Sequence, residues 1–307
     1  MAEFAKAFVT GFPVDRSLLP YIHHYWLQAC NLRGSYEAVP TGGEAFPRFL
    51  ADIGQKGFCG GNIAAPHKET ALSLVAQAGA EAQGVGAVNM VWLEDGRLCG
   101  DDSNSRGFAA NLDTYAGDWP CETALVLGSG AFARAVIYAL LKRDVPHIVL
   151  ADCRPEPITA LAEFFRRQNK AKISVIGLAD VHTVLPQAGL LVNVSGLALP
   201  LSMRPLQQNM AGDSPAEEED SAAGQAFFDY MDFSRAPAGA IAAESAASVL
   251  QTPFLQAAGA AGLKTVDGLG MLLHQAVFGF ERWFGRRPQV TAELRRTIAG
   301  QAANIGR

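Results

Sequence analysis

From Ala7 to Ala78, short apolar or β-branched runs alternate with longer stretches of helical spacing: "AFVTG", "LLPYIHHYWLQAC", "GSYEAVP", "AFPRFLADIG", "CGGNIAA" and "KETALSLVAQA". Short runs bounded by turn residues predict strands, and the longer periodic stretches predict helices. Their alternation predicts α/β units around a mostly parallel sheet. "AVNMVWLEDGRLCG" departs from the rhythm, because Asp95-Gly96 between two apolar stretches predicts a tight hairpin. After a helical pattern in "SRGFAANLDTYAG", the alternation starts afresh near Cys121 with "TALVLGSG", "AFARAVIYALLKRD", "HIVLAD", "PITALAEFFRRQ", "KISVIG" and "LLVNVSG". A second α/β domain is therefore expected. Further on, "FFDYM" is expected to form another strand, and no repeat at solenoid spacing is present.

Composition narrows the class. A chain of 307 residues, 49% hydrophobic and 18% charged, has apolar material for two ordinary domains and is not expected to be disordered. The net charge of -5 argues against a nucleic-acid surface, which needs clustered Lys and Arg to displace counterions. Five dispersed cysteines without a C-x-x-C suggest neither a zinc site nor a disulfide framework, and point to free thiols in a reducing compartment. With no long apolar signal core and no unbroken membrane-length run, a cytoplasmic location is expected. The acidic stretch "AGDSPAEEEDSAAG", residues 211–224, predicts a surface loop. No metal is expected: His23 and His24 point to different helix faces, and no carboxylate or cysteine stands at ligand spacing with them or with His274.

Two stretches carry candidate chemistry. In "TALVLGSGAFARA", Gly128, Gly130 and Ala133 form a G-x-G-x-x-A pattern between a predicted strand and a predicted helix. The first glycine permits a tight turn, the second lets backbone approach a pyrophosphate, and the small third residue lets the helix pack close to the strand. The next strand ends in Asp152, at the interval expected of an acid that hydrogen-bonds an adenosine ribose. A carboxylate there repels a 2′-phosphate, so NAD is expected as the cofactor, with NADP as the alternative that Arg154 would favour. In "GNIAAPHKETALSLV", Lys68 stands two residues after Pro66 at the mouth of an apolar helix, a placement that admits two readings, an incidental turn lysine or a proton-transfer amine.

Taken in order, "NIAAPHK", "GAVNMV", "GDDSNSRGF", "GSGAFARA", "LLVNVSG" and "DGLGMLLHQA" resemble the shikimate dehydrogenase family from about Phe8 to Gly285. The resemblance implies a substrate domain of residues 1–106 with 268–307 and a Rossmann-type dinucleotide domain of residues 107–267. It also implies reversible hydride transfer between a nicotinamide cofactor and a ring hydroxyl of a shikimate- or quinate-like polyol acid. On this alignment Lys68 is the acid–base lysine, and Ser17, Asn62, Asn89 and Gln275 are substrate ligands. Gly128, Ser129, Gly130, Ala131, Phe132, Ala133, Asp152, Arg154, Asn193, Val194, Ser195, Gly268 and Met271 hold the cofactor. The implied partner is a small polyol carboxylate, with no nucleic acid or membrane, bound by a monomer or homodimer.

The chain also departs from the family pattern. The family's G-x-N-T-D-x-x-G falls on Gly100 to Gly107, which puts Asn104 at the usual catalytic aspartate. Because Gly107 and Phe108 keep the register, Asn104 is read as a change that slows turnover. The competing reading has Asp102 supply the carboxylate from a shifted turn. At the acid-binding end only Ser17 survives of the paired serines, Ala64 replaces a threonine, and the tyrosine expected after the "FFDYM" strand falls at Asp232. These departures motivate an alternative reading, a dinucleotide-binding regulatory protein or a near-inactive homologue.

Overall fold

A computed structural model of the chain describes residues 4–117, 119, 121–130, 132–168, 171–196, 227–228 and 230–305. The acidic stretch 211–224 and the cofactor candidate Ala131 lie outside these residues. The chain divides into two compact units, Met1–Gly107 with Leu272–Arg307, and Phe108–Met271.

The first unit contains β1 (Ala5–Gly11), α1 (Leu19–Ala29), β2 (Gly34–Pro40), α2 (Phe46–Ala51), β3 (Gly60–Ile63), α3 (Lys68–Leu74), β4 (Gln77–Ala78), α4 (Ala80–Val85), β5 (Met90–Glu94) and β6 (Arg97–Asp101). Their sheet order is β2-β1-β3-β5-β6-β4. Strands β1, β2 and β3 run parallel, and β5 pairs antiparallel with β3 and β6. The expected hairpin is present: Asp95 and Gly96 both take left-handed backbone, at φ 51° and 73°, which suits a two-residue turn between twisted strands. β1 is flanked on both edges, and its Phe8 is fully buried with Phe49 and Phe58 edge-on at 5.0 Å. Gly61 is small for the same reason, since a Cβ there would sit 2.5 Å from the Phe8 ring. The "GGN" run thus lets β3 close against β1 and brings Asn62 into the interior.

The second unit begins within α5 (Asn104–Tyr115) and adds β7 (Thr123–Leu127), α6 (Ala133–Lys142), β8 (His147–Asp152), α7 (Pro155–Arg166), β9 (Lys172–Gly177), α8 (Val181–Val184), β10 (Leu190–Asn193), β11 (Ile241–Glu244), α9 (Pro253–Ala260) and β12 (Lys264–Val266). Its sheet order is β12-β11-β10-β7-β8-β9, with every described pairing parallel. Alternate residues of β7 enter opposite cores: Ala124 and Val126 pack with Val136, Ile137 and Leu140 of α6, whereas Leu125 and Leu127 join a core with Phe228, Phe254 and Leu255. Burial on both faces explains the unbroken apolar runs of these strands. Two helices complete the chain, α10 (Leu269–Phe284), in which it re-enters the first unit, and α11 (Ala292–Ile305).

One expected strand is not where the pattern placed it. In "FFDYM", Phe227, Phe228 and Tyr230 are helical, and the strand joining the sheet is β11, some ten residues later. Phe228 is buried against Phe254 as helical core. Asp232 is exposed and accepts a hydrogen bond from the Ser234 hydroxyl at 2.5 Å. Before Asp232, Phe227, Phe228 and Tyr230 are thus helical, where the tyrosine assignment expected a strand.

Candidate active site

In the first unit, four elements bring polar side chains into one buried network. Asn62 lies on β3, Asn89 immediately precedes β5, Ser103 stands between β6 and α5, and Gln275 projects from α10; all four are buried. The Asn62 Nδ2 donates to the Asn89 carbonyl at 3.2 Å, and its Oδ1 accepts from the Tyr36 hydroxyl at 2.7 Å. The Asn89 Nδ2 lies 3.0 Å from Ser103 Oγ and 3.1 Å from Gln275 Oε1, while Asn89 Oδ1 accepts from the Ser103 amide at 2.8 Å. These contacts fix amide orientation, as a site that reads several hydroxyls requires.

Lys68 opens α3, half-buried, and its carbonyl accepts the Val88 amide at 2.9 Å, next to Asn89. Burial pulls the lysine pKa down, and the charge of Asp102 opposes that shift. Asp102 is almost completely buried between β6 and α5. Its Oδ1 accepts the Ser105 amide at 3.1 Å, and its Oδ2 accepts the Asn104 side-chain amide, also at 3.1 Å. Burial raises its carboxyl to about 6, against the lowering effects of the Ser105 amide, Lys68 and Asn104. Asn104 thus serves the Asp102 carboxylate. Ser17, by contrast, is engaged locally: its half-exposed hydroxyl accepts the Leu19 amide at 3.3 Å at the start of α1.

In the second unit the strand order reverses between β7 and β10, the place where open parallel sheets form a ligand crevice at their carboxyl ends. Gly128 ends β7 at φ 103°, and a Cβ there would lie 2.5 Å from the Ser195 backbone beyond β10. Ala133 is fully buried where α6 begins, and no side chain caps that helix at Phe132. Small residues at the turn and an uncapped helix start fit a pyrophosphate. Asp152 Oδ2 accepts from the Ser129 amide at 2.7 Å and from its hydroxyl at 2.6 Å; Oδ1 accepts the Arg154 amide at 3.0 Å. Burial pushes this carboxyl up, but the bonds from Ser129 and Arg154 outweigh it and hold it below the usual range, so it is an anion at neutral pH. The Arg154 guanidinium stands beside it, 3.2 Å from Ser129 Oγ.

Asn193 plays a local role. Its Nδ2 donates to Glu244 Oε2 at 2.9 Å, and its Oδ1 accepts from the Ser195 amide and hydroxyl at 3.1 and 2.6 Å. Val194 and Met271 are buried core, and Gly268 passes so close to the loop after β11 that a Cβ would lie 2.5 Å from the Ala246 carbonyl. Three participants went unseen in the sequence: Tyr36, Ser103 and Glu244. Tyr36 sits in an ordinary strand pattern and Ser103 is one of many serines. Glu244 had only one sign, an acid ending the apolar run "AIAAE".

A parallel sheet with a dinucleotide turn, in a chain whose other unit holds a lysine of lowered basicity and a buried set of fixed amides, defines a nicotinamide-dependent dehydrogenase of two α/β units. Residues 9–91 match the family model of the shikimate dehydrogenase substrate binding domain, and residues 268–292 that of the shikimate 5'-dehydrogenase C-terminal domain. A relative from Brucella melitensis biotype 2, shikimate dehydrogenase (NADP(+)), is 43% identical over 307 residues, covering 100% of this chain and 98% of its own. The chain belongs to the shikimate dehydrogenase family.

Among solved structures, shikimate 5-dehydrogenase from Thermus thermophilus, in complex with NADP(H) and shikimate, is similar at a TM-score of 0.75 and 30% identity, over 98% of this chain and 100% of that one. Quinate dehydrogenase from Corynebacterium glutamicum, in complex with NAD, shares the fold at a TM-score of 0.81 and 24% identity, over 97% of this chain and 100% of that one. Among the described residues, no helix is long and apolar enough to cross a membrane.

Proposed function

We propose that the chain reversibly oxidises a ring hydroxyl of a shikimate- or quinate-like polyol acid, with Lys68 as the group that takes and returns the hydroxyl proton. When bound, a nicotinamide cofactor held at the turn of Gly128 and Gly130 and the start of α6 would supply the acceptor for the hydride, with its electron pair, leaving the carbinol carbon. The protein moves the remaining proton: neutral Lys68 Nζ takes it as the C=O bond forms, and in the reverse direction the ammonium gives it back. Asn62, Asn89 and Gln275 hold the hydroxyls of the ring, and the half-exposed Ser17 marks the carboxylate end. The observation carrying this reading is that one unit holds both a lysine of lowered basicity, whose carbonyl accepts the amide of the residue before Asn89, and a buried set of fixed amides. Five free cysteines accord with action in a reducing cytoplasm. Steady-state assays of shikimate and quinate with both cofactors test it. Lys68→Ala is expected to reduce kcat by about three orders of magnitude while dinucleotide binding, measured by fluorescence titration, persists; a variant that keeps its rate refutes the role.

For the cofactor, the ionised Asp152 at the end of β8 supports NAD, with Arg154 keeping NADP usable. The names of the curated relatives favour NADP. Asp152→Asn removes the negative charge, and is expected to shift both the Kd ratio and the kcat/KM ratio about tenfold toward NADP. Unchanged ratios would remove Asp152 from cofactor selection.

A further inference from the structure

The loop that leaves β10 lies against the glycine turn that leaves β7. Val194 donates its amide to the Leu127 carbonyl at 2.9 Å, and a Cβ at Gly128 would lie 2.5 Å from Ser195 Cα and 2.7 Å from its nitrogen. Asn193 Oδ1 holds Ser195 there, accepting its amide at 3.1 Å and its hydroxyl at 2.6 Å. Asn193 is in turn oriented from β11, because its Nδ2 donates to Glu244 Oε2 at 2.9 Å. Both side chains are buried, at 1% exposure for Asn193 and 2% for Glu244. Hydrogen bonds therefore run from Glu244 through Asn193 to Ser195, whose backbone packs on the turn of Gly128. We propose that Glu244 is a positioning residue for the dinucleotide: it fixes the side-chain amide of Asn193, which sets Ser195 against the glycine turn and so shapes the wall of the crevice at β10. The proposal rests on reading this unit as the dinucleotide site, and it assigns Glu244 no contact with cofactor or substrate.

The polarity of the cluster calls for an acid at this position. Glu244 Oε1 accepts the amides of Ser245, at 2.8 Å, and Ala246, at 3.1 Å; Oε2 accepts Asn193 Nδ2 and, at 3.0 Å, the Thr252 hydroxyl. All four partners are uncharged donors, and an ionised carboxylate accepts at both oxygens and donates at neither. Two of the donors are backbone amides, whose direction is fixed; the Thr252 hydroxyl can rotate, and Asn193 can turn over. Glutamine in place of Glu244 has to aim its NH2 at the two amides or at Asn193. The first sets N–H against N–H where neither donor can turn, so the second is the lesser misfit. Asn193 then accepts only by turning over, which points its own NH2 at the Ser195 amide and carries the mismatch to the glycine turn.

A purely structural role is the competing account, because Glu244 also anchors Thr252, whose hydroxyl accepts the Leu255 amide at 3.3 Å where α9 begins. Thr252→Val removes that anchor and leaves Asn193 in place. It is expected to lower the thermal midpoint by about 2–4 °C with the dinucleotide Kd unchanged. The experiment measures Kd for NADH and NADPH by fluorescence titration, KM for shikimate at saturating dinucleotide, and thermal midpoints. It compares wild type, Glu244→Gln, Asn193→Asp, their double exchange and Thr252→Val at pH 8, where Glu244, raised by burial to about 7, is mostly ionised. Glu244→Gln is expected to weaken both dinucleotides about tenfold, equally because they share the pyrophosphate that the glycine turn receives, with KM for shikimate unchanged. Asn193→Asp alone sets two carboxylates in contact and weakens binding at least as much. The double exchange remakes the bond between positions 193 and 244 with its direction reversed, and returns Kd to within about threefold of wild type. Glu244→Gln with a wild-type Kd overturns the proposal, as does a loss that the double exchange leaves unrecovered or that Thr252→Val reproduces. Should Glu244→Gln fail to fold, the double exchange decides: folded and binding it supports the proposal, folded without binding it overturns it. A wild type that binds neither dinucleotide overturns the reading of the unit instead, and this proposal with it.

Discussion

Asn62 was legible from its motif, but what orients its amide was not. The Tyr36 hydroxyl donates to Asn62 Oδ1 from β2, and His23 lies flat on the Tyr36 ring at a centroid distance of 3.9 Å. Burial and the neighbouring His24 push the His23 pKa down to about 3, so this imidazole is an uncharged packing plate at any working pH. Tyr36→Phe removes the donor and leaves a buried acceptor unpaired, at a cost of about 1–3 kcal/mol. The expected result is a lower denaturant midpoint and a KM that rises more than kcat falls; unchanged kinetics would separate Tyr36 from the substrate site. Lys68, Asn89 and Gln275 were likewise read from local motifs. Ser103 and Tyr36 matter because of partners 172 and 26 residues away, which no local pattern encodes.

At the scale of elements, the glycine turn, the hairpin and most strands followed from periodicity and turn chemistry. β11 did not. It is made of Ile, two alanines and Glu, and alanine favours helix, so only its place between β12 and β10 in the sheet makes it a strand. "FFDYM" misled in the opposite sense: aromatic residues favour strands, yet Phe227 and Phe228 are helical and pack into the core with Phe254.

The carboxyl end of β11 also carries Glu244, whose two oxygens accept from Asn193, Thr252 and the amides of Ser245 and Ala246. Burial raises its pKa to about 7 despite these donors. The folded state therefore holds the proton more tightly than the unfolded chain does. The sign follows: the contribution of this carboxyl to stability is greatest at low pH and declines as pH rises toward about 7, where a buried anion forms. Thermal midpoints of wild type and Glu244→Gln, compared from pH 5 to pH 8, are expected to draw together as a wild-type advantage shrinks. Parallel curves would show that the group does not titrate in this range.

For the whole molecule, the alternation of runs indicated two α/β units, the glycine turn indicated a dinucleotide, and the resemblance carried by motifs in order implied a dehydrogenase, because each rests on local signals along the chain. The unit that holds the dinucleotide turn is one continuous stretch, Phe108–Met271, whereas the unit that holds Lys68 is assembled from two stretches. Gln275, in the later stretch, closes the amide network to Asn89 and Ser103, 186 and 172 residues earlier. During synthesis the nucleotide unit is complete when Gln275 has yet to leave the ribosome, since chains emerge and fold from the N-terminus. A chain cut short just ahead of Gln275 thus carries its nucleotide unit entire while the amide network of the other unit still lacks the member that ties Asn89 and Ser103 together.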